Sequence, residues 1–309
     1  MPVSTRSDSN APVPVTPSLL RDWPLPAPGD SKYSRGAVLV IGGARVTPGA
    51  ALLAGTAALR AGAGKITLAV AESVAAQVGV ALPECGAMGL PETPAGSLTG
   101  EGLDRISNYL ERADTLLIGP GLDDLELAGT LLRALLEREE SDGAADAARG
   151  PAVVLDAYAL GALTEVEDQI GPWRGRLILT PNPTEAGILL GRDVEDLEAA
   201  VAEIAGRFDA VVSCQGYIAG PSAEGADGSG LWKITTGYGG LGTSGSGDVL
   251  AGAITGLRAR GTSNAQAACW GTHLHAAAAD RLASKLGPLG FLARELADEL
   301  PALMLELNT

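Results

Sequence analysis

The chain has 309 residues, 46% of them hydrophobic and 19% charged, enough for a sizeable core in one large domain. Its net charge of −15 argues against a general nucleic-acid or acidic-membrane surface, which needs Lys/Arg patches. An anionic ligand would instead need a local site of backbone N–H groups or a helix N-terminus. Aromatics are only 4% and glycines number 42, which implies an Ala/Val/Leu/Ile core with many tight turns and suits an α/β protein. Cys85, Cys214 and Cys269 are odd in number, far apart and without metal-ligand spacing. Reduced thiols and a cytoplasmic location are therefore expected. No 18-residue apolar run and no signal-peptide layout occurs, so no membrane partner is expected.

In chain order, residues 1–30 hold seven prolines and read as a flexible tail or extended arm. From Gly36 onward strands and helices alternate. "AVLVIGG" (37–43) is a short apolar run stopped by glycines, hence a buried strand. "GAALLAGTAALRAGAG" (49–64) reads as a helix and "KITLAV" (65–70) as the next strand. "TLLIGPGL" (115–122), "AVVLDAYAL" (152–160) and "RLILTPNPTE" (176–185) are further buried strands ending in candidate ligand loops. "EREESDGAADAARG" (137–150) is a helix end plus a solvent loop, and "DAVVSCQGYIAG" (209–220) and "GLWKITTG" (230–237) are later strands. Continuous apolar strands between helices predict a three-layer α/β/α sandwich over 31–309, its central sheet mostly parallel. In such a sheet ligands bind outside the carboxyl ends of the strands.

The most polar and glycine-rich stretches fall at those ends. In "GGLGTSGSGDVLAGAITGL" (239–257), glycines at 242, 245 and 247 let backbone approach a bulky ligand. The unpaired N–H groups of Gly245, Ser246 and Gly247 at the start of the following helix suit a phosphate. Asp248 would then face a substrate hydroxyl and remove its proton during phosphoryl transfer. The same residues also fit a plain glycine-rich turn with Asp248 as helix cap. In "TPNPTE", Asn182 and Glu185 can hold a hydrated Mg²⁺ through water, and they equally fit simple capping.

Together these stretches resemble the ribokinase-like superfamily. "VLVIGGARVTPGAALLAGTAALRAGAGK", "LLIGPGL", "VVLDAYAL", "LTPNPTEAGILLG" and "GTSGSGDVLAG", followed by "GTHLHAAAADRLA", occur in the order of the ADP-dependent NAD(P)H-hydrate dehydratases, over roughly residues 31–305. The resemblance implies a repair reaction in which ADP or ATP drives loss of water from hydrated NADH or NADPH. It implies that Ala50, Gly121, Asn182 and Asp248 touch the hydrate, with Asp248 as base, and that Gln215, Gly216 and Gly247 lie on the nucleotide side. It also implies Mg²⁺ and a homo-oligomer, a tetramer being favoured. Four positions depart from the family pattern: Asn182 stands for His, Thr184 for Gly, Gln215 for Lys and Tyr238 for Asn. The Gln215 change removes a positive charge near the nucleotide. Alternative readings are a small-molecule kinase of the same superfamily, acting on a vitamin precursor or carbohydrate, and an inactive nucleotide-binding relative.

Three other features read as structural. "GAGKIT" (62–67) does not fit a phosphate loop, because Leu59 and Ile66 occupy required positions; it is a helix end and a strand start. His273 and His275, two apart on a helix, point to different faces and cannot share an ion well. The apolar spacing in 286–304 reads as core or subunit contact.

Overall fold

Four consecutive strands have no water-facing position at all: β5 (Thr115–Ile118), β6 (Ala152–Leu155), β7 (Leu177–Leu179) and β8 (Ala210–Cys214) are buried on both faces. Only helices on both sides can achieve that. The computed structural model describes residues 11–27, 29–141, 150–221 and 230–308. The remaining strands are β1 (Val13–Val15), β2 (Ala37–Ile41), β3 (Lys65–Ala71), β4 (Gly86–Leu90), β9 (Tyr217–Ala219) and β10 (Leu231–Ile234). The ten form one sheet in the order β1-β10-β9-β8-β7-β6-β5-β2-β3-β4, and β9 alone runs against the rest.

Alternate residues of each strand feed two cores. Val38, Val40, Leu68, Leu117, Val154 and Ile178 face one side. There they meet α1 (Pro17–Asp22), α2 (Pro48–Arg60), α3 (Ala75–Ala81), α9 (Ser246–Ala259), α10 (Asn264–Leu286) and α11 (Ala293–Asn308). Leu39, Ile41, Leu116, Ile118, Val153 and Leu155 face the other. That side is covered by α4 (Ser107–Leu110), α5 (Leu125–Ser141), α6 (Tyr158–Leu163), α7 (Pro183–Leu190) and α8 (Leu197–Phe208). The result is the α/β/α sandwich with a mostly parallel sheet that the strand–helix alternation predicts.

Three details differ from the sequence expectation. A flexible tail or arm over 1–30 does not describe residues 13–22. Strand β1 pairs with β10, and Val15 and Leu20 are fully buried. The Trp23 carbonyl then accepts from Gln266 Nε2 at 3.0 Å and Trp270 Nε1 at 2.9 Å, fastening this segment to α10. Second, the run 209–220 is two strands rather than one. Gln215 (φ 44°) and Gly216 (φ 84°) make the tight turn of a hairpin between β8 and β9. Third, β4 was not legible as a strand; it is a short edge with two glycines. The solvent loop expected after Ser141 lies largely outside the described residues. No described helix is long and apolar enough to cross a membrane.

Candidate active site

The strands of the central sheet end together, so the loops after β2, β5, β6, β7, β8 and β10 share one edge. The first two interlock through backbone. Gly43 N donates to the Pro120 carbonyl and Ala44 N to that of Gly121, each at 2.8 Å. Thr47 Oγ1 donates to the same Gly121 carbonyl at 2.8 Å, while Ala50 N turns back to Thr47 O at 3.3 Å. Ala50, in the first turn of α2, is thereby set beside Gly121.

The end of β6 is tighter still. A Cβ at Gly119 would overlap the Asp156 carbonyl, so the tips of β5 and β6 can approach only with glycine there. The Asp156 side chain is buried and accepts from Thr180 Oγ1 at 2.8 Å. Burial raises its pKa to about 7; the Thr180 hydrogen bond opposes the rise, and the Asp248 and Glu185 carboxylates add to it. Those electrostatic links place three carboxylates from three different loops in one neighbourhood. Ala157, which follows, has φ 51° and ψ −129°, a conformation rare for a residue with a Cβ. Strain of this kind next to a buried acid is typical of a working site. The sequence marked the end of this strand as a candidate ligand loop but assigned Asp156 itself no role; its signal was an acid closing an otherwise apolar strand.

Asn182 and Glu185 form a reciprocal cap at the start of α7. Glu185 N donates to Asn182 Oδ1 at 2.9 Å, and Asn182 N to Glu185 Oε2 at 2.8 Å. Burial raises the Glu185 pKa. The capping reading of this pair is thus realised. It uses one oxygen of each side chain and leaves Glu185 Oε1 outside the box. Among the described residues no group of three or more His, Cys, Asp or Glu could hold a metal ion by itself. Mg²⁺ keeps several waters and needs only one or two carboxylates beside substrate phosphates. The oxygen-only donor set here fits that partial shell and not a closed cage.

The turn before α9 is built differently from the starts of its capped neighbours. Helices α7, α8 and α10 carry side-chain caps from Asn182, Asp196 and Ser263. Helix α9 is preceded by Gly245 in the cap position, with φ 86° and no side-chain cap. Asp248 sits in its first turn without capping it, so the cap reading of this residue fails. Burial lifts its pKa to about 6. The Gln215–Gly216 turn lies at the same sheet edge, with Ile234 N donating to the Gly216 carbonyl at 2.7 Å. Tyr238 is 88% exposed and stands on the loop between β10 and α9.

The four segments Gly43–Ala50, Gly119–Leu122, Asn182–Glu185 and Gly245–Asp248 therefore do meet, around an uncapped helix start flanked by partly dehydrated acids. Such a start favours an anion. A family model described as NAD(P)H-hydrate dehydratase matches residues 38–302. The chain belongs to the NAD(P)H-hydrate dehydratase family. It is 41% identical over 297 residues to an ADP-dependent (S)-NAD(P)H-hydrate dehydratase of Xanthomonas campestris pv. campestris, covering 94% of this chain and 95% of that protein. A bifunctional NAD(P)H-hydrate repair enzyme of Moorella thermoacetica is 38% identical over 88% of this chain, which spans 50% of that relative's length. The ADP/ATP-dependent NAD(P)H-hydrate dehydratase of Bacillus subtilis, co-crystallised with ATP and Mg²⁺, matches with a TM-score of 0.72 at 26% identity, over 96% of this chain and 99% of that one. A ribokinase-like superfamily protein of Enterococcus faecalis matches with a TM-score of 0.78 at 21% identity, over 96% of each chain, and shows the shared fold.

Proposed function

We propose that this chain dehydrates hydrated NADH or NADPH at the expense of ADP, with ATP as the other candidate nucleotide. The observation that carries the reading is the uncapped glycine turn of α9 with Asp248 in its first helical turn. Phosphates rest on the N–H groups of residues 245–247, flanked by the Gln215–Gly216 turn. The hydrate lies against Ala50, Gly121 and Asn182. Asp248, ionised above pH about 6, takes the proton of the ring hydroxyl as the hydroxyl oxygen attacks the terminal phosphorus of ADP. AMP departs with the bridging oxygen. The ring now carries a phosphate ester in place of a poor leaving group. The C–O bond breaks, phosphate leaves, and a proton is lost from the adjacent ring carbon to restore the double bond. Mg²⁺, held through water by Glu185 and Asn182, would neutralise phosphate charge.

The test is to incubate the protein with hydrated NADH and ADP and follow both AMP release and recovery of the reduced-nicotinamide absorbance. Both are expected in equal amounts. A stable phosphate ester of another small alcohol, with no absorbance recovery from the hydrate, would instead identify a small-molecule kinase. Nucleotide binding without turnover of either would identify an inactive relative.

A further inference from the structure

One helix behind the site reaches both ends of the loop that carries the glycine turn. Near the start of the loop, Asp280 of α10 accepts from Thr236 Oγ1 at 2.5 Å and from the backbone N–H groups of Gly237 and Tyr238, each at 2.8 Å. At its end, His275 of the same helix places Nε2 3.0 Å from Ser246 Oγ and 3.0 Å from the Ser246 carbonyl oxygen. Ser246 is the first residue of α9, and both it and His275 are buried.

The protonation of this contact follows from its partners. Burial lowers the His275 pKa to about 4, so the ring is neutral at pH 7. A carbonyl can only accept. A neutral imidazole nitrogen at hydrogen-bond distance from it therefore carries the proton. Nε2–H donates to the Ser246 carbonyl with the hydroxyl oxygen as a second acceptor, and the Ser246 hydroxyl keeps its own proton to donate elsewhere. His273 supplies the contrast. It is buried two residues earlier on another face, and its Nδ1 has no hydrogen-bond partner among the described residues. His273 is a histidine in a packing role; His275 is engaged at the start of α9, where no side chain caps the helix.

We propose that His275 is a positioning residue for phosphoryl transfer. It holds the first residue of α9 so that the N–H groups of 245–247 face the phosphates and Asp248 faces the hydroxyl. This rests on the reading that the α9 turn receives the nucleotide. His275 itself touches neither substrate. Its effect reaches the reaction only through Ser246, because a helix start without its own cap takes its orientation from tertiary contacts.

The experiment compares wild type with His275→Gln and His275→Phe, measuring ADP affinity, KM for ADP, kcat and Tm for each. The Gln amide can still donate to the Ser246 carbonyl; Phe fills the space without a donor. His275→Phe is expected to raise KM for ADP and lower kcat/KM by about tenfold or more, with His275→Gln restoring most of the loss. Should the Phe variant fail to fold, His275→Asn takes its place, since its shorter amide falls short of Ser246. Two results overturn the proposal: wild-type ADP kinetics in a folded Phe or Asn variant, or equal losses in the Gln and non-donating variants that track Tm. A wild type that neither binds ADP nor dehydrates the hydrate overturns the functional reading as well. An active wild type with an indifferent His275→Phe overturns the positioning role only.

Discussion

Asp248 is a carboxylate that the fold has partly withdrawn from water, and two opposed consequences follow. Its pKa rises from the ordinary 3.8 to about 6. A base with a pKa nearer to neutral accepts a proton more effectively in the transition state. The folded protein holds the Asp248 proton more firmly than the unfolded chain, so the residue's stabilising contribution is full below pH about 4 and lost as pH rises through about 6. At pH 7 the enzyme carries an ionised, half-buried acid at a cost in stability. Asp248→Asn removes both the cost and the base. Turnover of hydrated NADH is expected to fall by about 10²–10⁴-fold. ADP affinity should stay within about tenfold, because the amide fits the same space and one negative charge near the phosphates is gone. Tm at pH 7 is expected to rise, and the gain over wild type should vanish toward pH 4. The wild-type rate should itself climb as pH passes about 6. Near-wild-type turnover in a well-folded Asp248→Asn variant would remove Asp248 from the mechanism.

The turn into α9 concentrates the proposed anion site in residues 245–247, and Gly247 is the cleanest place to test that. Its position is exposed, and a Cβ built on it meets nothing within 4 Å. Gly247→Val should therefore fold with a Tm close to wild type, while its branched side chain occupies the space a phosphate needs. Loss of ADP binding in calorimetry at unchanged Tm is the expected outcome; wild-type affinity would place the phosphate elsewhere. Elements such as α9 were legible in the sequence because their signals are local: glycines before an Ala/Leu helix, or an apolar run closed by Gly-Gly. Strand β1 gave no such signal. Its three residues, Val13–Val15, include a proline and sit in a proline-rich stretch, and proline suits an edge strand but masks it. The β8–β9 turn was hidden for a related reason. Gln215 adopts a positive φ that its residue type disfavours, so nothing like Asn-Gly marked the hairpin. The Asp156–Thr180 and His275–Ser246 contacts join residues 24 and 29 apart in sequence. No periodicity carries that information; it exists only once the sheet has brought the loops to one edge.

At the scale of the whole molecule, the apolar surface has been spent unevenly. Segment 49–64 is rich in Ala and Leu, and its Ala51, Ala54, Ala57 and Ala58 are fully buried within the chain's own core. Helix α11 likewise turns Leu296, Leu300, Leu303 and Leu307 inward, which takes up much of the apolar spacing in 286–304. Exposed large apolar side chains cluster at the connection between α10 and α11. There Leu286, Leu289 and Leu292 are 54%, 97% and 52% exposed. Three leucines within seven residues make a local apolar patch of the sort that marks an interface. The patch also borders the site: Leu292 lines a cleft with Leu52, Leu53, Thr243 and Ser244, the last two on the loop that leads into α9. We propose this connection as the subunit contact of the homo-oligomer, a tetramer being favoured, that the family resemblance implies. Light scattering at micromolar concentration is expected to give a multiple of the monomer mass. Leu289→Glu should shift it toward the monomer with little loss of Tm in dilute solution, since a side chain 97% exposed contributes almost nothing to the core. A wild-type mass equal to one chain, or an oligomer indifferent to Leu289→Glu, would move the contact off this patch. If the variant dissociates and the KM for ADP rises with it, the partner subunit also helps to hold the loop that leads into the glycine turn.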